Sequence, residues 1–206
     1  MKRVAIIDYG MGNLVSVVNA VNALGVEALV ADSPADLGRA SHIVLPGVGA
    51  FADAMRNLGD RGWIPALEEA ALGQGKPFLG ICLGMQLLAA TGMEHGEHKG
   101  LGWIKGRVER LVPQGEGLRV PHVGWNAVHP VPGAGDGLFH GMADGEDFYF
   151  VHSYAFVPED PAHCAAVCDH GGLFCAAVAS GRVFGTQFHP EKSQRAGWRV
   201  LTNFLG

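Results

Sequence analysis

The chain has 206 residues, 48% of them hydrophobic, with 15 Lys and Arg against 20 Asp and Glu for a formal charge of −5. That length fits one domain or at most two small ones, and the composition supplies a full core and excludes a disordered chain. The charges are scattered with no basic block to follow a phosphate backbone, which argues against nucleic-acid binding, and no apolar run reaches the ~18 residues of a membrane span.

The apolar stretch between Arg3 and Asp8 is too short for a signal-peptide core, so the expectation is a soluble, cytoplasmic protein. Four cysteines in a chain of this length do not make a disulfide framework. Cys164, Cys168 and Cys175 sit in apolar segments where a small buried thiol is ordinary. A zinc site at Cys164 and Cys168 lacks a matching second pair. No metal and no cofactor is expected. Glycine, at 31 residues, is about twice its usual ~7% share, which implies many tight turns.

In chain order, residues 3–8 read as a strand bounded by glycines. Leu14, Val17, Val18, Val21 and Leu24 then fall on one face of an amphipathic helix, with Asn13 as N-cap and Gly25 as stop. Strands follow at 27–31 and 41–45, the latter closed by Pro46-Gly47. Helical stretches come next around 50–58 and 63–73. Residues 76–81 form another buried strand, and LGMQLLAA starts a helix at once. This alternation argues a parallel sheet covered on both faces.

The second half changes texture: runs near 107–112, 120–128, 147–152, 163–168, 173–179 and 182–187 read as strands, and helical periodicity returns only after Ser193 with Trp198, Leu201 and Leu205. There is no repeat and no linker. The expected fold is a single α/β domain spanning 1–206, with a mostly parallel central sheet flanked by helices plus additional antiparallel strands.

The chemistry begins at GICLG, residues 80–84. A strand ends, Cys82 follows, and a helix begins. Glycines two residues on either side of a nucleophile describe a tight strand-to-helix elbow, where side chains at those positions would collide. A helix N-terminus there favours thiolate over thiol. The free N–H of Leu83 points where an oxyanion would form. Beside that reading stands a buried Cys among ordinary turn glycines, so the motif needs a base.

Ten histidines compete for that role. His95 and His98 lie in MEHGEHKG, which reads as a solvated loop with no further ligands for a metal. His189 differs, because it ends an apolar run and precedes Pro190 and Glu191. Proline disfavours helix for the residue before it, so His189 should be extended. In an extended chain, positions i and i+2 share a face, which sets the Glu191 carboxylate beside the imidazole. Nucleophile, base and orienter are then all present.

GICLGMQLL around Cys82, PGVGAF at 46–51 and QFHPEKSQ at 187–194 resemble the class I (triad) glutamine amidotransferases. The further motifs IIDYGMGNL at 6–14, PHVGWN at 121–126 and HSYAF at 152–156 extend the resemblance from Val4 to the C-terminal helix. They look like those of the branch that serves histidine biosynthesis. The resemblance implies glutamine as substrate, Cys82 as nucleophile, His189 as acid/base and Glu191 as its orienter. It sets Val48 and Gly49 beside the scissile amide as second oxyanion donor with Leu83, gives Gln86 the glutamine α-carboxylate or amine, and has Ser153 and Tyr154 contribute through backbone. It further implies a heterodimer with a (β/α)₈ barrel cyclase, towards which Asn13, His122, Trp125 and Lys192 would lie. Two other classes stay open on the residues: a stand-alone cysteine hydrolase acting on γ-glutamyl substrates, and a binding subunit that keeps the fold without the chemistry.

Overall fold

A computed structural model describes residues 2–115, 117–135 and 137–206. The first half alternates as its periodicity predicts. In order come β1 (Arg3–Ile7), α1 (Leu14–Ala23), β2 (Glu27–Ala31), a 3₁₀ turn at Pro34–Arg39, β3 (His42–Gly47), α2 (Phe51–Asp60), α3 (Trp63–Glu68), β4 (Phe78–Cys82) and α4 (Leu83–Gln86). The second half is mainly strands: β5 (Thr91–Gly92), β6 (His98–Lys99), β7 (Gly106–Arg110), β8 (His122–Pro130), β9 (Glu146–His152), β10 (Tyr154–Pro158), β11 (Cys164–Asp169), β12 (Leu173–Ser180) and β13 (Val183–Thr186), closed by α5 (Gln194–Leu205).

Strands β2, β1, β3, β4 and β13 pair in parallel in that spatial order. From β13 onward β12, β10 and β7 add antiparallel strands, and β11, β8 and β9 form an antiparallel flap on β12. The central strands β3 and β4 are buried at every position because both faces are covered, whereas the edge strand β2 leaves Glu27 and Val30 exposed. Val4 and Ile6 of β1 face α1 and α5 through Val21, Val200 and Phe204, while Ala5 and Ile7 face α2 and α3 through Leu58, Trp63 and Leu67. Burying each such large side chain contributes about 1.5–3 kcal/mol. Among the described residues no helix is long and apolar enough to cross a membrane.

Four local details differ from the sequence reading. First, β3 does not stop at residue 45: Pro46 and Gly47 stay in register with Ile81 and Cys82 of β4, which carries the PGVG segment alongside the cysteine. Second, the helix after Cys82 is only four residues long. The carbonyls of Leu87, Leu88 and Ala89 are taken by the N–H groups of Leu101, Ile104 and Gly102, so tertiary backbone bonds replace the helical ladder. Third, the helix expected over 63–73 widens into a π-type turn at Glu69–Gly73. Fourth, Asn13 occupies the N-cap of α1, but its side chain makes no capping bond. The strand β10 and the short β5–β6 pair were not anticipated.

Candidate active site

The elbow is real and strained. Cys82 has φ 54° and ψ −110°, a conformation that is rare outside glycine and costs about 1–3 kcal/mol when a side chain is present. The flanking glycines make it possible. A Cβ on Gly80 would collide with the Gly84 carbonyl, and one on Gly84 with the Leu45 carbonyl. A four-residue helix carries little macrodipole, so any support for a thiolate has to come from discrete groups rather than from the helix as a whole.

His189 follows β13, the parallel neighbour of β4, and is 3% exposed. Its Nδ1 lies 2.8 Å from Glu191 Oε1. The route differs from the expected one: residues Pro190–Lys192 form a 3₁₀ turn, and only His189 itself is extended. The contact that the i, i+2 argument predicts therefore arises from a turn. Burial alone pushes the imidazole down, but interactions with the Cys82 sulfur and with Glu191 overcome it and raise the pKa to about 9. Nε2 is buried with no hydrogen-bond partner among the described residues, as is Glu191 Oε2.

A cavity of about 270 Å³ opens over the cysteine. Val48, Gly49, Leu83, Gln86, Ser153 and Tyr154 all line it, so every substrate-site residue inferred from the motifs reaches one space. Gly49 has φ 113°, and a Cβ there would press on Met11 Cε at 2.6 Å. A larger cavity of about 470 Å³ runs along β7, β10 and β12. It is lined by Cys164 and Cys175 together with Glu109 and His170, and it does not reach Cys82, which lines the smaller one. Among the described residues no three His, Cys, Asp or Glu side chains gather to hold a metal.

Comparison with known proteins agrees with this geometry. The profile of the family described as glutamine amidotransferase class-I matches residues 5–205. The chain belongs to the class I glutamine amidotransferases. The imidazole glycerol phosphate synthase subunits HisH of Moorella thermoacetica and Syntrophotalea carbinolica are 49% and 50% identical to it, over 99% and 98% of this chain and 94% and 98% of their own lengths. The structure of PurLQS from Thermotoga maritima shares the fold at a TM-score of 0.73 and 22% identity, covering 99% of this chain and 97% of that one.

In this amidotransferase the residues inferred to face a partner divide. Asn13, Trp125 and Lys192 are exposed. Trp125 stacks edge-on to Tyr149 at 6.1 Å, and the Lys192 ammonium sits 5.8 Å from the same ring. The Tyr149 carbonyl accepts the His189 backbone N–H at 3.0 Å, so this patch adjoins the catalytic candidate directly. His122 is not on that surface: it is 4% exposed, bonded to His152 and stacked beneath His170.

Two site residues escaped the sequence reading. Glu94, in the segment read as a solvated loop, turns inward, accepts the Phe51 N–H at the start of α2 at 2.8 Å and lines the cavity. No local pattern marks it. Gln187 is fully buried with its amide 3.7 Å from the Cys82 sulfur. A polar residue inside the apolar run RVFGTQF was the available signal.

Proposed function

We propose that this chain is the glutaminase subunit of an imidazole glycerol phosphate synthase, with Cys82, His189 and Glu191 as its catalytic triad. One observation carries the reading: a cysteine held at positive φ on a strand-to-helix elbow, beside a buried imidazole whose other nitrogen is locked to a carboxylate at 2.8 Å. A structural cysteine has no need of either feature.

In this mechanism the Cys82 thiolate attacks the side-chain carbonyl of glutamine. N–H groups at Leu83 and in the Val48–Gly49 segment stabilise the tetrahedral oxyanion. Protonated His189 gives its proton to the departing nitrogen, because an amide leaves well only as ammonia. The raised proton affinity of His189 suits it to arrive charged at neutral pH. Water activated by the same imidazole then hydrolyses the γ-glutamyl thioester. The cavity is sized for an amino acid, and the Glu94 carboxylate and the Gln86 amide on its wall suit the α-amino end of the substrate.

Ammonia protonates quickly in water and loses its nucleophilicity, so it passes directly to a (β/α)₈ barrel cyclase docked over the Trp125–Tyr149–Lys192 patch. That partner uses it to make imidazole glycerol phosphate and an aminoimidazole carboxamide ribotide. The test mixes Cys82→Ala with the cyclase and measures imidazole glycerol phosphate from each nitrogen source. The variant should fail with glutamine and still work with ammonium salt at raised pH. Retained glutamine use would remove Cys82 as nucleophile. Equal glutamine hydrolysis by the unaltered chain with and without cyclase and acceptor would make it a stand-alone hydrolase.

A further inference from the structure

We infer that Gln187 is a catalytic residue of this site: its side-chain amide donates an N–H to the Cys82 sulfur and holds it as thiolate. The inference deepens the glutaminase reading and rests on Cys82 being the nucleophile.

The groups around the Gln187 amide fix which of its ends faces sulfur. The Tyr154 carbonyl can only accept. It lies 3.0 Å from Gln86 Nε2, so Gln86 presents its NH₂ there. The second hydrogen of the same NH₂ reaches the side chain of Gln187 at 3.0 Å, which must answer with its carbonyl oxygen, Oε1. The NH₂ of Gln187 is then the end that faces Cys82 Sγ at 3.7 Å, a separation that a large sulfur acceptor allows. Flipping either amide would set two donors or two acceptors against each other in a buried space.

The chain of donors extends outward and is satisfied at each step. His152 Nδ1–H donates to the same Tyr154 carbonyl at 2.8 Å, which leaves its Nε2 to accept from His122 Nδ1–H at 3.0 Å. His122 Nε2 in turn accepts from Asn126 Nδ2 at 3.2 Å. Both rings are neutral in this arrangement, since burial lowers His122 to about 4 and His152 to about 3. The backbone of Gln187 is tied to β12 through its N–H to the Ala176 carbonyl at 2.8 Å. Gln187 therefore has neither a rotamer nor an amide flip to spare, which makes it a fixed dipole aimed at sulfur.

Other titratable groups around the sulfur do not replace it. His189 serves as proton donor in the reaction, and Glu191 acts through His189. Tyr9, whose hydroxyl is buried without a partner among the described residues, has its pKa raised by burial and then by Cys82. Glu94 and His152 line the cavity, but the Glu94 carboxyl accepts from the Phe51 N–H and the His152 ring is neutral with both nitrogens engaged. Gln187 offers the sulfur a neutral N–H at 3.7 Å that stays in place while His189 gains and loses its proton. It supports the free thiolate before attack, and again when the C–S bond of the thioester breaks and the electron pair returns to sulfur.

The experiment measures alkylation of Cys82 by iodoacetamide across pH, read peptide by peptide by mass spectrometry, in the full-length chain and in Gln187→Leu and Gln187→Glu. Thermal melts establish that each variant is folded. Losing a donor to a charged acceptor should slow Cys82 alkylation at neutral pH by about ten-fold in Gln187→Leu and displace its pH profile to the alkaline side. The isosteric Gln187→Glu keeps the acceptor for Gln86 but sets a carboxylate against sulfur, so its profile should move further the same way. If Leu prevents folding, the Glu variant decides alone. A folded variant whose profile superimposes on that of the unaltered chain overturns the inference while leaving Cys82 as nucleophile. Alkylation of Cys82 no faster than that of Cys168, a buried thiol pushed up to about 12, in the unaltered chain overturns the glutaminase reading, and this inference with it.

Discussion

The two halves of the sheet bury themselves differently. Every residue of β3 and β4 is buried, because helices cover both faces of the parallel half. In β8 and β9 burial comes and goes along the strand, and Val123 and Trp125 are half exposed. The site lies where the halves meet. The parallel half holds Cys82 in a conformation it would not adopt alone, and β13 delivers His189 next to it. The antiparallel half contributes Tyr154, His152 and the Trp125 face. A rigid, doubly covered layer can store the strain of a nucleophile elbow, whereas a layer with one open face can meet another protein.

The largest effect should come from breaking the rigid side of that contrast. Gly84→Val drives a side chain into the Leu45 carbonyl, a backbone atom that cannot swing away. A loss of about 3 kcal/mol or more, together with loss of glutaminase activity, is expected. In the second half, Gly137→Ala meets nothing within 4 Å and should change stability by no more than about 0.5 kcal/mol. Melting temperatures of the pair measure the difference; equal values would mean that the elbow is not tightly packed.

A smaller effect is expected at the seam. Glu191→Gln can still accept the His189 Nδ1–H but cannot balance an imidazolium. Glutamine hydrolysis should fall about 10- to 100-fold, less than for Cys82→Ala, since an orienter alone often costs less than the nucleophile. The sign of the pH effect follows from the raised pKa. The protonated imidazole is fully present below about 6.5 and is lost as pH rises through about 9. Without the carboxylate that loss should begin at lower pH, so the alkaline limb of the rate profile moves towards neutrality. An unchanged limb would mean that Glu191 does not act through His189.

These positions also mark how far the sequence could be read. The parallel strands were legible because burial on both faces leaves a continuous apolar run, and α1 because Val17 and Val21 repeat at helical spacing. Cys82 and His189 announced themselves through glycine and proline, residues with backbone consequences. The Glu191 contact was reached by a wrong local conformation, because the 3₁₀ turn at Pro190 closes the same distance that an extended chain would span. Leu87–Ala90 looked helical but is held by the 100–104 segment, a tertiary effect with no local signature. Glu94 and the inward position of His122 were hidden for the same reason: each depends on an element distant in sequence.

The smallest expected effect tests whether the antiparallel half is the acid-sensitive one. His122 and His152 are packed as neutral rings, with pKa values lowered by burial to about 4 and about 3, and His170 stacks on His122 at 4.1 Å to oppose a second charge. An unfolded chain would protonate both near pH 6.5, so between that pH and their folded values the unfolded state binds more protons, and stability falls as pH falls. His189 opposes this slope near pH 6.5, where an unfolded imidazole is still half protonated, and adds none towards pH 5, where both states are protonated; one such ring is outweighed by two. The window from pH 6.5 to 5 also lies above the ordinary carboxylate range. Melting temperature should drop by a few degrees across it, and His122→Gln, which removes one of the two rings, should make the drop shallower. Hydrogen exchange over the same window should loosen β8 and β9 before β3 and β4. If β3 and β4 open first, or if His122→Gln melts with the same pH slope as the unaltered chain, the acid-sensitive element lies elsewhere, and His42, lowered by burial and by Lys2 and Arg182, becomes the group to examine.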